Sequence, residues 1–197
     1  MKEEIQQYLA FMKDICPLLT ASELAWLSTG LTVRELAKGE YFIKAGELQK
    51  DLGWITKGLV RSFYTDAHGE EQTMRFMTSN DFVSNYAALL TNEPTRYNFQ
   101  CLEPTTLVVL PYAVVVESYN NSHQFERFGR LVAEKSCQMH QSRIEAFLFE
   151  TAEQRYLSFI KKQPGLFNRV SVTHLCSYIG IRRQSLTRIR KRLIKER

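Results

Sequence analysis

Apolar residues open the chain at helical spacing: Ile5, Tyr8, Leu9, Met12 and Ile15 fall on one helix face, and Thr20-Ala21-Ser22-Glu23 has the capping-box form that starts a second helix, so helix is expected from 3 to about 30. From about 32 the period shortens. Gly39, Gly46, Gly58 and Gly69 punctuate segments rich in β-branched and aromatic residues, the rhythm of short antiparallel strands. Leu59 to Tyr64, then Asp66-Ala67-His68-Gly69, then Thr73 to Met77 reads as strand, turn, strand. Further strands are expected from Arg96 to Leu102 and from Thr105 to Leu110, which together imply a small β-barrel or roll. After Pro111 the pattern supports two readings, because Val114-Val115-Val116 favours a strand whereas Pro111 suits the first turn of a short helix.

From His123 to Glu150 there is no proline, and Phe125, Phe128, Val132, Met139, Ala146 and Phe149 follow one heptad seam, with Lys135 and Ser142 at its remaining positions. A helix of this extent is roughly 42 Å long at 1.5 Å per residue. Two arrangements could cover the seam: a parallel partner helix from a second subunit, which the length favours, or packing across the chain's own domain.

The stretch from Val170 to Arg190 has the apolar spacing of a helix-turn-helix. Leu175 and Ile179 lie four apart on a first helix, Ile181 plugs the turn, and Leu186 and Ile189 lie three apart on a second. Cys176 is small enough for a close helix crossing, and Gly180 can take the left-handed conformation that ends the first helix.

Charge sharpens this picture. Residues 151–197 hold 12 Lys and Arg against 2 acids, which leaves 14 basic and 19 acidic residues in positions 1–150. A basic end on an acidic body suits nucleic acid, because clustered cations release the counterions condensed on phosphate. Arg183, Gln184, Thr187, Arg188 and Lys191 project from the second helix. Arg can fork onto guanine and Gln onto adenine. Thr173, Arg182 and Ser185 are better placed for phosphates, with Arg190, Arg192, Lys195 and Arg197 adding to the general field. For Arg192 and Arg197 taken singly, a solvated helix face is the simpler reading.

Other chemistry is thin. Cys16, Cys101, Cys137 and Cys176 are far apart with no CxxC pair, and His68, His123, His140 and His174 are scattered, so reduced thiols are expected and no metal site. No cluster suggests a catalytic acid, base or nucleophile, which argues against an enzyme. The N-terminus lacks a secretory apolar stretch. The most apolar run, Leu107 to Val116, is interrupted by Pro111 and is about half of the roughly 20 residues that span a bilayer, so a cytoplasmic protein without membrane contact is expected.

Several segments resemble the Crp/Fnr-type transcription regulators. Ala152-Glu153-Gln154-Arg155-Tyr156, Gln163-Pro164, Leu175 through Ile181 and Leu186 through Lys191 are similar to that family's DNA-binding end. Phe42-Ile43-Lys44-Ala45-Gly46-Glu47, Lys57-Gly58-Leu59-Val60-Arg61 and Asn80-Asp81-Phe82 are similar to its cyclic-nucleotide-binding-like β-roll. The resemblance covers nearly the whole chain. It implies an α+β fold with a sensory or effector roll at 1–121, a dimerisation helix at 122–150 and a helix-turn-helix domain at 151–197. It also implies a short helix at 112–119 and RNA polymerase as a candidate partner.

The chain departs from the family in places. Cyclic-nucleotide binders carry a Gly-Glu pair followed by Arg and a small residue, whereas here the matching positions are Ser84-Asn85 and Arg96-Tyr97. Asn85 can still meet a ribose hydroxyl, but without a carboxylate's charge-assisted strength, and Tyr97 is bulky. Cyclic AMP is therefore disfavoured. Arg96 is either an anion anchor for another small effector or an exposed strand residue. The cysteines do not match the ligand set of the iron-sulfur branch, and nothing marks a haem ligand. The family's β-hairpin wing has no counterpart, Arg182 stands where Ser or Thr usually caps the recognition helix, and Gln184 stands where the cyclic-AMP-responsive type has Glu.

The reading is a homodimeric, sequence-specific regulator of double-stranded DNA with a roughly palindromic operator, its half-sites about 34 Å apart. The alternative is a small-molecule or nucleotide-binding roll with non-specific nucleic-acid affinity.

Overall fold

A computed structural model describes residues 1–195, and the chain divides into two compact units: residues 1–64 with 75–135, and residues 65–74 with 136–197. The first unit opens with α1 (Glu3–Ile15) and α2 (Ala21–Thr29). Thr20 starts α2 with a reciprocal capping box, its hydroxyl accepting from the Glu23 amide while the Glu23 carboxylate accepts from the Thr20 amide. Eight strands follow: β1 (Thr32–Leu36), β2 (Tyr41–Ile43), β3 (Asp51–Lys57), β4 (Val60–Thr65), β5 (Glu71–Met77), β6 (Phe82–Val83), β7 (Asn98–Cys101) and β8 (Thr105–Pro111). A short helix, α3 (Tyr86–Thr91), lies between β6 and β7.

The strands form two four-stranded sheets, ordered β1-β8-β3-β6 and β2-β7-β4-β5. Strand alternation divides the core between two clusters. Leu107 and Val109 of β8 join Ile55, Val60, Phe99 and Cys101, while Val108 and Leu110 join Trp54, the helical residues Tyr8, Met12 and Leu27, and Leu19 from the link between α1 and α2. The run from Leu107 to Leu110 is apolar without a break because both faces of its sheet are covered. The ambiguity after Pro111 resolves as α4 (Tyr112–Asn121), with Pro111 at its N-cap.

A single helix, α5 (His123–Phe149), comes next. The heptad seam read from the sequence is corrected here. Phe125 and Phe128 are buried in the helical cluster of the first unit, and Val132 packs against it. These residues serve the chain's own core and are closed to a partner. Farther along the same seam Met139 and Phe149 are exposed, and an open stripe roughly a third of a turn away from Phe125 and Phe128 holds Ala133, Cys137, His140, Ile144 and Leu148, all exposed at spacings of four, three, four and four.

The second unit contains α6 (Ala152–Lys162), a 3-10 turn at Pro164–Leu166, α7 (Val172–Ile179) and α8 (Arg183–Lys195), together with the tip of the β4–β5 hairpin. No helix among the described residues is long and apolar enough to cross a membrane.

Candidate nucleic-acid interface and effector cassette

Ser171 starts α7 by accepting from the His174 amide. Gly180 ends the helix in the left-handed conformation, φ +77°, and its amide and that of Ile181 both donate to the Cys176 carbonyl. The chain can then reverse within three residues and enter α8 at Arg183. Leu175, Cys176 and Ile179 of α7 are buried with Leu186 and Ile189 of α8, over a floor of Tyr156, Phe159 and Leu166. Burial pushes the Cys176 thiol up from its ordinary range, so it is an inert packing group.

With one stripe of α8 committed to this core, Arg182, Arg183, Gln184, Thr187, Arg188 and Lys191 remain exposed and Ser185 half-buried. The structure joins several of these residues. Arg183 Nη2 donates to Thr173 Oγ1 at 2.6 Å, so the first turns of α7 and α8 are bridged by two residues that the sequence pattern had assigned separately to base and phosphate. Thr187 Oγ1 donates back to the Arg183 carbonyl at 3.1 Å, and Arg188 Nη2 donates to Ser185 Oγ at 3.4 Å. Arg182 carries the N-cap role only through its backbone carbonyl, which accepts from the Ser185 and Leu186 amides.

Two residues expected to add to the diffuse field do otherwise. Arg190 is half-buried, donating from Nε to the Tyr156 hydroxyl at 3.1 Å and lying 5.5 Å from the Phe167 ring centre. Arg192 pairs with Glu153 rather than pointing free into solvent. The side chain of Lys195 and residue Arg197 lie outside the described residues.

Sequence reasoning missed the residues that hold this module together. Arg155 Nε donates to the Ile179 carbonyl at 2.9 Å and its Nη1 to the Glu150 carbonyl at 2.6 Å, so one guanidinium satisfies the ends of α7 and α5. Arg143 donates to the carbonyls of Tyr178 at 2.6 Å and Thr73 at 3.2 Å and stacks on the Tyr178 ring at 3.8 Å. Its burial draws the guanidinium down from its ordinary range. Ser177 Oγ accepts from the Thr73 amide at 2.8 Å and donates to the Glu71 carbonyl at 2.7 Å, which ties the hairpin tip to α7. Arg155 sits in the motif Ala152 to Tyr156. Ser177 sits in the motif Leu175 to Ile181, but nothing local marked either its role or that of Arg143, because their partners are carbonyls and amides distant in sequence.

In the cassette of the first unit, Asn85 is the N-cap of α3. Its Oδ1 accepts from the Ala88 amide at 3.4 Å, its Nδ2 donates to Thr95 Oγ1 at 3.1 Å, and its backbone amide donates to Gln49 Oε1 at 2.8 Å. Thr95 is buried and also accepts from the Tyr97 amide. The Asn85 amide thus already serves the fold on both its oxygen and its nitrogen. Arg96 is exposed beside this cluster in sequence. Among the described residues, no group of three or more His, Cys, Asp or Glu could hold a metal ion.

Residues 33–121 match the family model of the cyclic nucleotide-binding domain. No curated protein matches the sequence. Among solved structures, FixK2 from Bradyrhizobium japonicum superposes with a TM-score of 0.72 at 14% identity, covering 84% of this chain and 85% of its own. A Eubacterium rectale protein classed with the Crp/Fnr transcriptional regulators gives 0.72 at 15% identity, covering 90% and 85%. The c-di-GMP-responsive global regulator CLP of Xanthomonas campestris gives 0.71 at 14% identity, covering 90% and 93%. Residues 33–121 are therefore similar to the cyclic nucleotide-binding domain, and the chain has the fold of these solved regulators.

Proposed function

We propose that this chain is a homodimeric, sequence-specific DNA-binding transcription regulator without catalytic activity. Residues 1–121 form its effector-sensing domain, 122–150 its dimerisation helix and 151–197 its DNA-binding domain. The observation that carries the reading is the exposed face of α8, where Arg183, Gln184, Thr187, Arg188 and Lys191 stand clear of a packed two-helix core. Arg183 and Arg188 are assigned to guanine edges, Gln184 to adenine, and Thr173, Arg182 and Ser185 to phosphates. The open side of α5 is the surface for a second copy, since Ile144 and Leu148 on it are 60 and 69% exposed. RNA polymerase is the further partner that an activating role would require.

The effector is a small molecule other than cyclic AMP. Support comes from Asn85, whose amide serves as a helix cap and as the donor to Thr95 where the cyclic-nucleotide pattern places a glutamate. The relative CLP responds to a different nucleotide, c-di-GMP. Arg96 is the residue through which an anionic effector would be held.

The test is selection of DNA sites from a random pool, followed by footprinting and mobility shifts over a salt series. The expected result is a roughly palindromic site with half-sites about one helical turn apart. Binding without sequence preference, falling steeply with salt, would instead support the non-specific alternative.

A further inference from the structure

The open face of α5 carries more than apolar contacts. At its middle stand Cys137 and His140, both exposed and three residues apart on the same side of the helix. The other three cysteines, Cys16, Cys101 and Cys176, are buried. The two residues lie between Ala133 on one side and Ile144 and Leu148 on the other, in the stretch where a dimer seam would be best packed. A small thiol can pack there, but an imidazole is a poor choice for packing alone.

Residues three apart on a helix have Cβ atoms about 5–6 Å apart, a spacing from which two side chains can converge on one ion. One chain offers only two such ligands, short of the four that a closed tetrahedral site needs. In a parallel pair of helices related by a two-fold axis, each seam layer faces its own copy, so the Cys137 and His140 layers of two chains bring together two thiols and two imidazoles. On binding, each thiol loses its proton to solvent and coordinates as thiolate, while each imidazole coordinates through a neutral nitrogen. Two thiolates balance the charge of a divalent cation. Soft and intermediate ligands of this kind select zinc over magnesium or calcium. From this placement we infer that two copies of the chain share one zinc-class ion, held by Cys137 and His140 of each. The inference rests on the proposed dimer through α5, and the ion would lock that dimer in a parallel register.

The experiment uses the full, untagged chain, reduced and stripped with a chelator, then titrated anaerobically with Co2+ while its mass is followed by sedimentation. The expected result is saturation at one cobalt per two chains, with the visible bands of tetrahedral thiolate-bound cobalt, which Zn2+ then bleaches. Cys137→Ser and His140→Ala should each weaken cobalt binding at least a hundredfold and leave thermal unfolding of the stripped protein unchanged. A dimer that shows no thiolate-bound cobalt, or binding that survives Cys137→Ser, overturns the metal site and leaves the dimer standing. A chain that sediments as a monomer with and without cobalt overturns the dimer and the site with it.

Discussion

Gly180 has little freedom to change. A side chain at φ +77° costs about 1–2 kcal/mol, and an added Cβ would also lie 2.7 Å from Phe147 Cε1. Gly180→Ala should therefore lower the thermal midpoint and weaken DNA binding together, because the same turn orients α8. Arg183→Ala should cost about 1–3 kcal/mol on the cognate site and relax preference at one base pair. Thr173→Ala, which removes only the partner at 2.6 Å, should weaken binding without changing sequence preference; selection experiments on both variants separate the roles. Asp66 is a further single-residue test. Its carboxylate accepts from the Gln72 side chain and from the Glu70 and His68 amides, and these bonds, with the Gln72 contact foremost, hold its pKa below the ordinary range. A depressed carboxyl stabilises the folded turn above its unfolded pKa, and the contribution is lost as pH falls through the lower folded value. The protection of the Glu70 amide against exchange, relative to its intrinsic rate at each pH, should fall over that acid range in the native chain and be flat in Asp66→Ala.

At the scale of elements, α5 shows why a heptad pattern alone misassigns a face. Its aromatic residues Phe125 and Phe128 are large enough to look like a partner seam, yet they complete the cluster around Tyr8, Met12 and Trp54. Phe128→Ala should lower unfolding stability by about 3–5 kcal/mol and leave the assembly state of the folded chain intact. Replacing Ile144 and Leu148 together by Asp should do the opposite: the protein stays folded but sediments as a monomer at concentrations where the native chain is dimeric. Arg155 is the other element-scale device, since it closes the carbonyl ends of α5 and α7 with one side chain. Arg155→Met keeps the length but leaves those carbonyls unpaired, at a cost of about 1–3 kcal/mol in chemical denaturation.

For the molecule as a whole, the charge asymmetry is less uniform than a count suggests. Eight basic residues lie from Arg182 to Arg197, but Arg190 is engaged with Tyr156 and Arg192 with Glu153. Among the described residues, Arg182, Arg183, Arg188 and Lys191 stay exposed and can release counterions. Lys191→Ala should reduce the salt slope of DNA binding by about one, whereas Arg192→Ala should change it little and instead loosen the contact between α6 and α8. Mobility shifts between low and physiological salt measure both slopes.

The amino-acid sequence alone determined what local pattern controls. The capping box at Thr20, the strand-turn-strand around Gly69 and the helix-turn-helix around Gly180 all follow from residues within a few positions of one another, where spacing and backbone preference suffice. The α+β architecture followed from the same local signals and from the motifs they carry. Tertiary structure decided the rest. Which face of α5 is buried depends on the helices and strands that pack on it, so both faces had apolar claims until Phe125 and Phe128 met their core. Whether an arginine is free or spent depends on distant carbonyls, hydroxyls and rings, as Arg143, Arg155 and Arg190 show. The same holds for Asn85, which reads as a ligand residue in sequence and serves as a helix cap in the fold. Pattern along a chain records side-chain chemistry, but a polar group's job is set by whichever partner the fold brings within hydrogen-bonding distance.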